Sequence, residues 1–146
     1  MSRIYWDSML FIYWLEANPQ FGDRVAELLQ SSVSRGDRIL TSIVTIGEIL
    51  VLPTRNKDFE TRKKIERFFD SDLVTVLPVT RPVVHLFAEV RGGNRPGLAK
   101  VAPADALHLA CAGAHGCDLF LTNDKSLHRQ QVPGIQFIAG LDVNVL

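Results

Sequence analysis

The sequence has 146 residues, 47% hydrophobic and 22% charged, with 16 basic and 16 acidic side chains and a formal net charge of zero. That length holds one domain (residues 1–146) with a real core, and the composition excludes a disordered chain. No apolar stretch is long enough to span a bilayer and the N-terminus lacks a signal peptide's basic start and apolar centre, so a cytoplasmic protein is expected; zero net charge means that nucleic-acid binding must rest on local patches.

In chain order, Arg3–Trp6 predicts a short strand and Ser8–Glu16 a helix ending near Asn18-Pro19. Pro19 suits the first turn of a second helix, capped by Asn18 and running to Ser34 with Val25, Leu28, Leu29 and Val33 as its apolar stripe. Gly36-Asp37 marks a turn before a second strand, Arg38–Thr41. Ser42–Leu52 reads as a helix stopped by Pro53, Asp58–Phe69 as another, and Leu73–Leu77 as a third strand. Thr80–Val90 is helical, and Gly92-Gly93-Asn94-Arg95-Pro96-Gly97 is a loop. Pro103 opens a helix that reaches Ala114 or His115, Asp118–Leu121 is a fourth strand, a short helix starts at Asp124, and Ile135–Ile138 is a fifth strand. Strands separated by helices predict an α/β fold with a parallel sheet covered on both faces.

Four acidic residues need an account. Asp7 directly follows the first strand and Asp124 comes just after the fourth, where open α/β sheets bind their ligands; helix capping is the competing account of both. Glu48 is the single charge in an otherwise apolar helix, which predicts burial and therefore a metal or an ion pair with an arginine or lysine. Asp105 lies in the first turn after Pro103, where the helix dipole favours an acid, among the small residues Ala102, Ala104 and Ala106. Gathered in one cleft, these carboxylates would repel each other until a divalent cation relieved them, and oxygen-only donors favour Mg²⁺ or Mn²⁺. His108, Cys111 and His115 could share a helical face, but their spacing fits no common zinc pattern. Cys111 and Cys117 are not expected to form a disulfide. There is no Walker A loop, no Gly-x-Gly-x-x-Gly run and no nucleophile elbow.

The ordered set Asp7, Glu48, Asp105 and Asp124 resembles the PIN domain, in particular the VapC-like toxin ribonucleases. Tyr5-Trp6-Asp7-Ser8, the run from Thr41-Ser42 to Glu48-Ile49-Leu50-Val51, the segment Pro103–Ala110, and Phe120-Leu121-Thr122-Asn123-Asp124-Lys125 carry the likeness. One departure is Met9, where relatives often have a small polar residue. The resemblance implies an α/β/α sandwich around a mostly parallel sheet of about five strands. It implies Mg²⁺- or Mn²⁺-dependent hydrolysis of RNA, a homodimer, and an antitoxin partner that covers the acidic groove. Asp7, Glu48 and Asp105 would then form the catalytic metal centre, with Asp124 further out and Thr122 and Ser8 as supporting hydroxyls. Arg95, Lys100 and Lys125 are the candidates for holding RNA; a second basic run spans Arg55 to Arg67. An RNA-maturation nuclease and a non-catalytic binding scaffold are the alternatives within the family. A receiver-like phosphoacceptor domain would need an acidic pair after the first strand, where Asp7 stands alone.

Overall fold

The computed structural model describes residues 1–93, 95–98 and 100–142, so Asn94 of the expected 92–97 loop lies outside it. Five strands pair in parallel: β1 (Arg3–Trp6), β2 (Arg38–Ser42), β3 (Val74–Leu77), β4 (Cys117–Leu121) and β5 (Ile135–Ala139), in the order β3-β2-β1-β4-β5. The connections carry helices: α1 (Ser8–Leu15) and α2 (Gly22–Arg35), then α3 (Ile43–Arg55) and α4 (Phe59–Phe69), then α5 (Arg81–Gly92) and α6 (Pro103–His115). A 3₁₀ turn, Lys125–Leu127, leads from β4 towards β5. No described helix is long and apolar enough to cross a membrane.

Alternation along the strands feeds two cores. Tyr5, Leu40 and Phe120 point into the core under α5 and α6, whereas Ile4, Trp6, Ile39 and Leu121 point into the core under α1 to α4. A strand buried on both faces reads as a continuous apolar run, as Ile4-Tyr5-Trp6 does. Trp6, Phe11 and Phe69 pack ring to ring at centroid distances of 5.1 and 5.2 Å, each burial being worth about 1.5–3 kcal/mol.

Several expectations need correction. Pro53 does not stop its helix. It costs only the one N–H that would bond Ile49, and the helix continues to Arg55. Asn18 caps a turn rather than the helix itself: its Oδ1 accepts from Gln20 and Phe21 N–H, and α2 begins only at Gly22. Val33 is 53% exposed and Ser32 takes the inward position. Helix α3 buries only Thr45, Ile49 and Pro53, leaving Ile43, Val51 and Leu52 about half exposed.

Helix α6 meets the turn before β5 backbone to backbone. A Cβ on Gly134, whose φ is +89°, would stand 1.9 Å from the Gly113 carbonyl oxygen. Gly36 also has positive φ, +73°, but open space around it. Urea unfolding should therefore show a loss of about 1–2 kcal/mol for Gly36→Ala, which is backbone strain alone. Gly134→Ala should lose about 2–5 kcal/mol, since overpacking adds to strain; equal losses would disprove the close packing of α6 on this turn.

Candidate active site

The strand order reverses at β1. Strands β2 and β3 lie to one side of it and β4 and β5 to the other, so the ends of β1 and β4 flank the switch point at which open α/β sheets bind ligands. Asp7 sits there, its N–H donating to the Leu121 carbonyl at 3.0 Å. It occupies the N-cap position of α1, yet its side chain caps nothing. Instead Oδ2 accepts from Thr122 Oγ1 at 2.7 Å and Oδ1 from Ser8 Oγ at 3.2 Å. This carboxylate is 6% exposed and Thr122 is fully buried. The capping account therefore fails for Asp7. It holds for Asp124, whose Oδ1 accepts from Ser126 N–H at 3.0 Å and Ser126 Oγ at 2.6 Å. The Asp124 N–H in turn donates to Thr122 Oγ1 at 3.1 Å, so one hydroxyl links the two acids.

Glu48 keeps 34% of its side chain exposed, less buried than its apolar helix suggests. Its partner is neither arginine nor lysine but His108, whose Nε2 lies 2.5 Å from Oε1. Asp105 is half-buried in the first turn of α6. Burial, then Asp7 and Asp124, push its carboxyl above the ordinary range, with Glu48 adding to the rise and His108 opposing it. All four acids therefore share one field. Among the described residues, no three acidic, histidine or cysteine side chains converge closely enough to enclose an ion as they stand.

The other candidates fall elsewhere. Arg95 donates to the carbonyls of Val90 and Gln131, tying the end of α5 to the segment before β5. Lys100 and Lys125 are exposed. Ala102 and Ala104 are exposed while Ala106 is buried, so small residues line the open side of the first turn of α6. The zinc trio is engaged apart: His108 faces Glu48, whereas the His115 ring and the Cys111 thiol both face the Pro78 carbonyl. Sequence reasoning gave no role to Tyr5, whose Oη lies 2.7 Å from His108 Nδ1.

The sequence pattern of the PIN domain family matches residues 4–132. The chain belongs to the PIN domain family. It matches none of the curated proteins with which it was compared. Its fold resembles that of VapBC2 from Rickettsia felis bound to a promoter DNA fragment, with a TM-score of 0.74 at 16% identity over 94% of this chain and 98% of that one. It also resembles DNA-bound VapBC from Salmonella typhimurium, with 0.66 at 19% identity over 97% and 99%. A toxin–antitoxin complex from Klebsiella pneumoniae gives 0.65 at 15% identity over 90% and 94%. At these identities the likeness is one of fold.

Two consequences of this PIN domain's acidic edge can be measured. Thr122→Val removes both hydrogen bonds of a buried hydroxyl and leaves the Asp7 carboxylate short of a donor; urea unfolding should show a loss of about 1–3 kcal/mol, whereas Thr122→Ser stays near the parent. Asp105 has a raised folded pKa. Its charge therefore subtracts stability at neutral pH, and that loss disappears as pH falls below the ordinary value of 3.8. In chelator near pH 7, Asp105→Asn should be at least as stable as the parent, with the gap closing in acid; a less stable variant at neutral pH would contradict the crowding of charge.

Proposed function

We propose that this chain, acting as one PIN domain, is a divalent-cation-dependent endoribonuclease and the toxin of a toxin–antitoxin pair. The observation that carries the reading is Asp105, a half-buried carboxyl repelled by three further carboxylates. Among the described residues no lysine or arginine forms an ion pair with any of the four. A cluster of this kind takes up protons or a cation, and its donors are all oxygens, which suits Mg²⁺ or Mn²⁺. Mg²⁺ commonly uses one or two carboxylates and keeps several waters, so it does not require an enclosing set.

Asp7, Glu48 and Asp105 are the residues we assign to hold the cation, directly or through water. Asp124 acts from further out, since one of its oxygens is tied to Ser126. Once bound, the ion supplies a more acidic water and positive charge for the scissile phosphate. Thr122 and Ser8 hold the Asp7 carboxylate in place through their donated hydrogen bonds. An acid of the set accepts the proton of the attacking water as its oxygen bonds to phosphorus, and the departing ester oxygen takes a proton from solvent. The exposed Lys100 and Lys125 are assigned to RNA phosphates; Arg95, committed to two carbonyls, is the weaker candidate. The partner protein is supported by the VapBC likeness and by a groove of about 410 Å³ between α1, α3 and α4. Ile12, Leu15 and Leu52 line it and it reaches Glu48, which suits an apolar segment carrying a basic residue. Exposed Ile43 and Val51 on α3 are apolar side chains that a second copy could cover, in keeping with a homodimer.

The test is cleavage of structured cellular RNA by the purified, partner-free protein in Mg²⁺ or Mn²⁺ and in chelator. Discrete fragments should form only with the cation. Asp7→Asn and Asp105→Asn should each cut at least about a hundredfold more slowly while remaining folded. Cleavage at the parent rate by either variant, or cleavage in chelator, would overturn the assignment.

A further inference from the structure

Beneath the acidic edge lies a buried polar pair, Tyr5 and His108, to which the reaction above gives no role. Tyr5 is fully buried in β1, its ring stacked on Phe120 at 5.0 Å with an interplanar angle of 5°. Its Oη is 2.7 Å from His108 Nδ1, His108 is 2% exposed, and His108 Nε2 is 2.5 Å from Glu48 Oε1. These contacts join a strand, a helix from one face of the sheet and a helix from the other.

The two ring nitrogens have opposite duties. A tyrosine phenol, with an ordinary pKa of about 10, carries its proton at neutral pH. On a neutral ring the phenol donates to Nδ1 when that nitrogen is the unprotonated one. The ring proton belongs on Nε2, where it is donated to Glu48. The other tautomer would press a lone pair against a carboxylate oxygen and leave Glu48 without its donor. Glu48 Oε2 has no hydrogen bond among the described residues, so one oxygen is anchored and one remains for a ligand.

We propose that Tyr5 is a positioning residue for Glu48, acting through His108: the phenol fixes the ring and its tautomer, and the ring fixes the carboxylate for a divalent cation. The proposal rests on the cation-binding part of the functional reading. Partners that orient a ligand in this way typically change metal affinity by about 10–100-fold when removed. A tyrosine that only filled the core would lose little with its hydroxyl, because Tyr5→Phe keeps the stacked ring.

The experiment has two arms. Nitrogen-15 NMR of the metal-free protein reads the His108 tautomer directly. The parent should show a protonated Nε2 and a hydrogen-bonded, unprotonated Nδ1, with the Nδ1 signal moving in Tyr5→Phe. Mn²⁺ titration followed by electron paramagnetic resonance reads affinity without turnover. Tyr5→Phe should weaken Mn²⁺ about tenfold or more. His108→Gln places an amide donor near the position of Nε2 with no call on the phenol. Whatever its own affinity, adding Tyr5→Phe to it should change Mn²⁺ binding no further. A protonated Nδ1 in the parent, or an equal loss from Tyr5→Phe in both backgrounds, overturns the proposal. A parent that binds no Mn²⁺ overturns the functional reading instead, and the NMR arm tells the two failures apart.

Discussion

The pairing of β1 with β4 is the contact on which the acidic edge depends. Aligning Tyr5 with Phe120 and Trp6 with Leu121 brings Asp7 beside Thr122, residues far apart in the chain. The partnership exists because the chain returns to the free edge of β1 only after building β2, β3, α5 and α6. Helix α6 enters β4 through a tight turn at Gly116, and Arg3 at the start of β1 donates to the carbonyls of His115 and Gly116. The C-terminus of α6 is thereby tied to the start of β1. Its N-terminus, carrying Asp105, is thrown to the end of the strands where Asp7 and Asp124 already stand. One topological fact assembles acids from three elements, and the positive end of the α6 dipole offsets part of their repulsion.

That assembly works against stability. A fold optimised only for its own persistence would not leave Asp105 half-buried amid three like charges. The structure moderates the cost unevenly. Asp7, nearly buried, receives donors on both oxygens. Asp124, exposed, shares its charge with a cap, and Glu48 leans on His108. Asp105 receives no such hydrogen bond among the described residues, and it is where the conflict concentrates. Strain held at one edge and supported by a well-packed core is the pattern expected of a site built to bind a ligand rather than to stabilise a fold.

Much of this was legible in the sequence. The periodicity of short apolar runs and helical stripes located all five strands and the helices to within a few residues. Helix starts were read at Ser42 and Asp58, and there the structure shows both side chains capping. What failed was local rules overridden by tertiary context. Pro53 lies in a last turn that continues because the lost bond is a single one, and α2 begins late because Asn18 spends its side chain on a separate turn. Composition could not reveal that an apolar helix such as α3 lies at the surface, because exposure depends on what packs over it. Nor could it decide between cap and cluster for Asp7 and Asp124. Both precede a helical turn, and only the position of Thr122 separates them.

The Tyr5–His108 pair was missed although its arithmetic was available. Tyr5 and Asp7 are two apart on a strand, so they face the same side, and Asp105 and His108 are three apart on a helix, so they also share a face. Once α6 is known to run against the direction of β1, the two pairs stack as tiers: Tyr5 with His108 below, dry and hydrogen-bonded, and Asp7 with Asp105 above, acidic and at the ends of the strands. The tiers constrain each other. Slipping β1 by one residue would swing Trp6 or Ile4 towards α6 in place of Tyr5 and carry Asp7 away from Thr122. His108 would then be left buried without its partner, a penalty of about 1–3 kcal/mol beyond the lost packing. The same polar pair that orients Glu48 thus also penalises the wrong register of the strand that supplies Asp7, so the site and the alignment it needs are specified together.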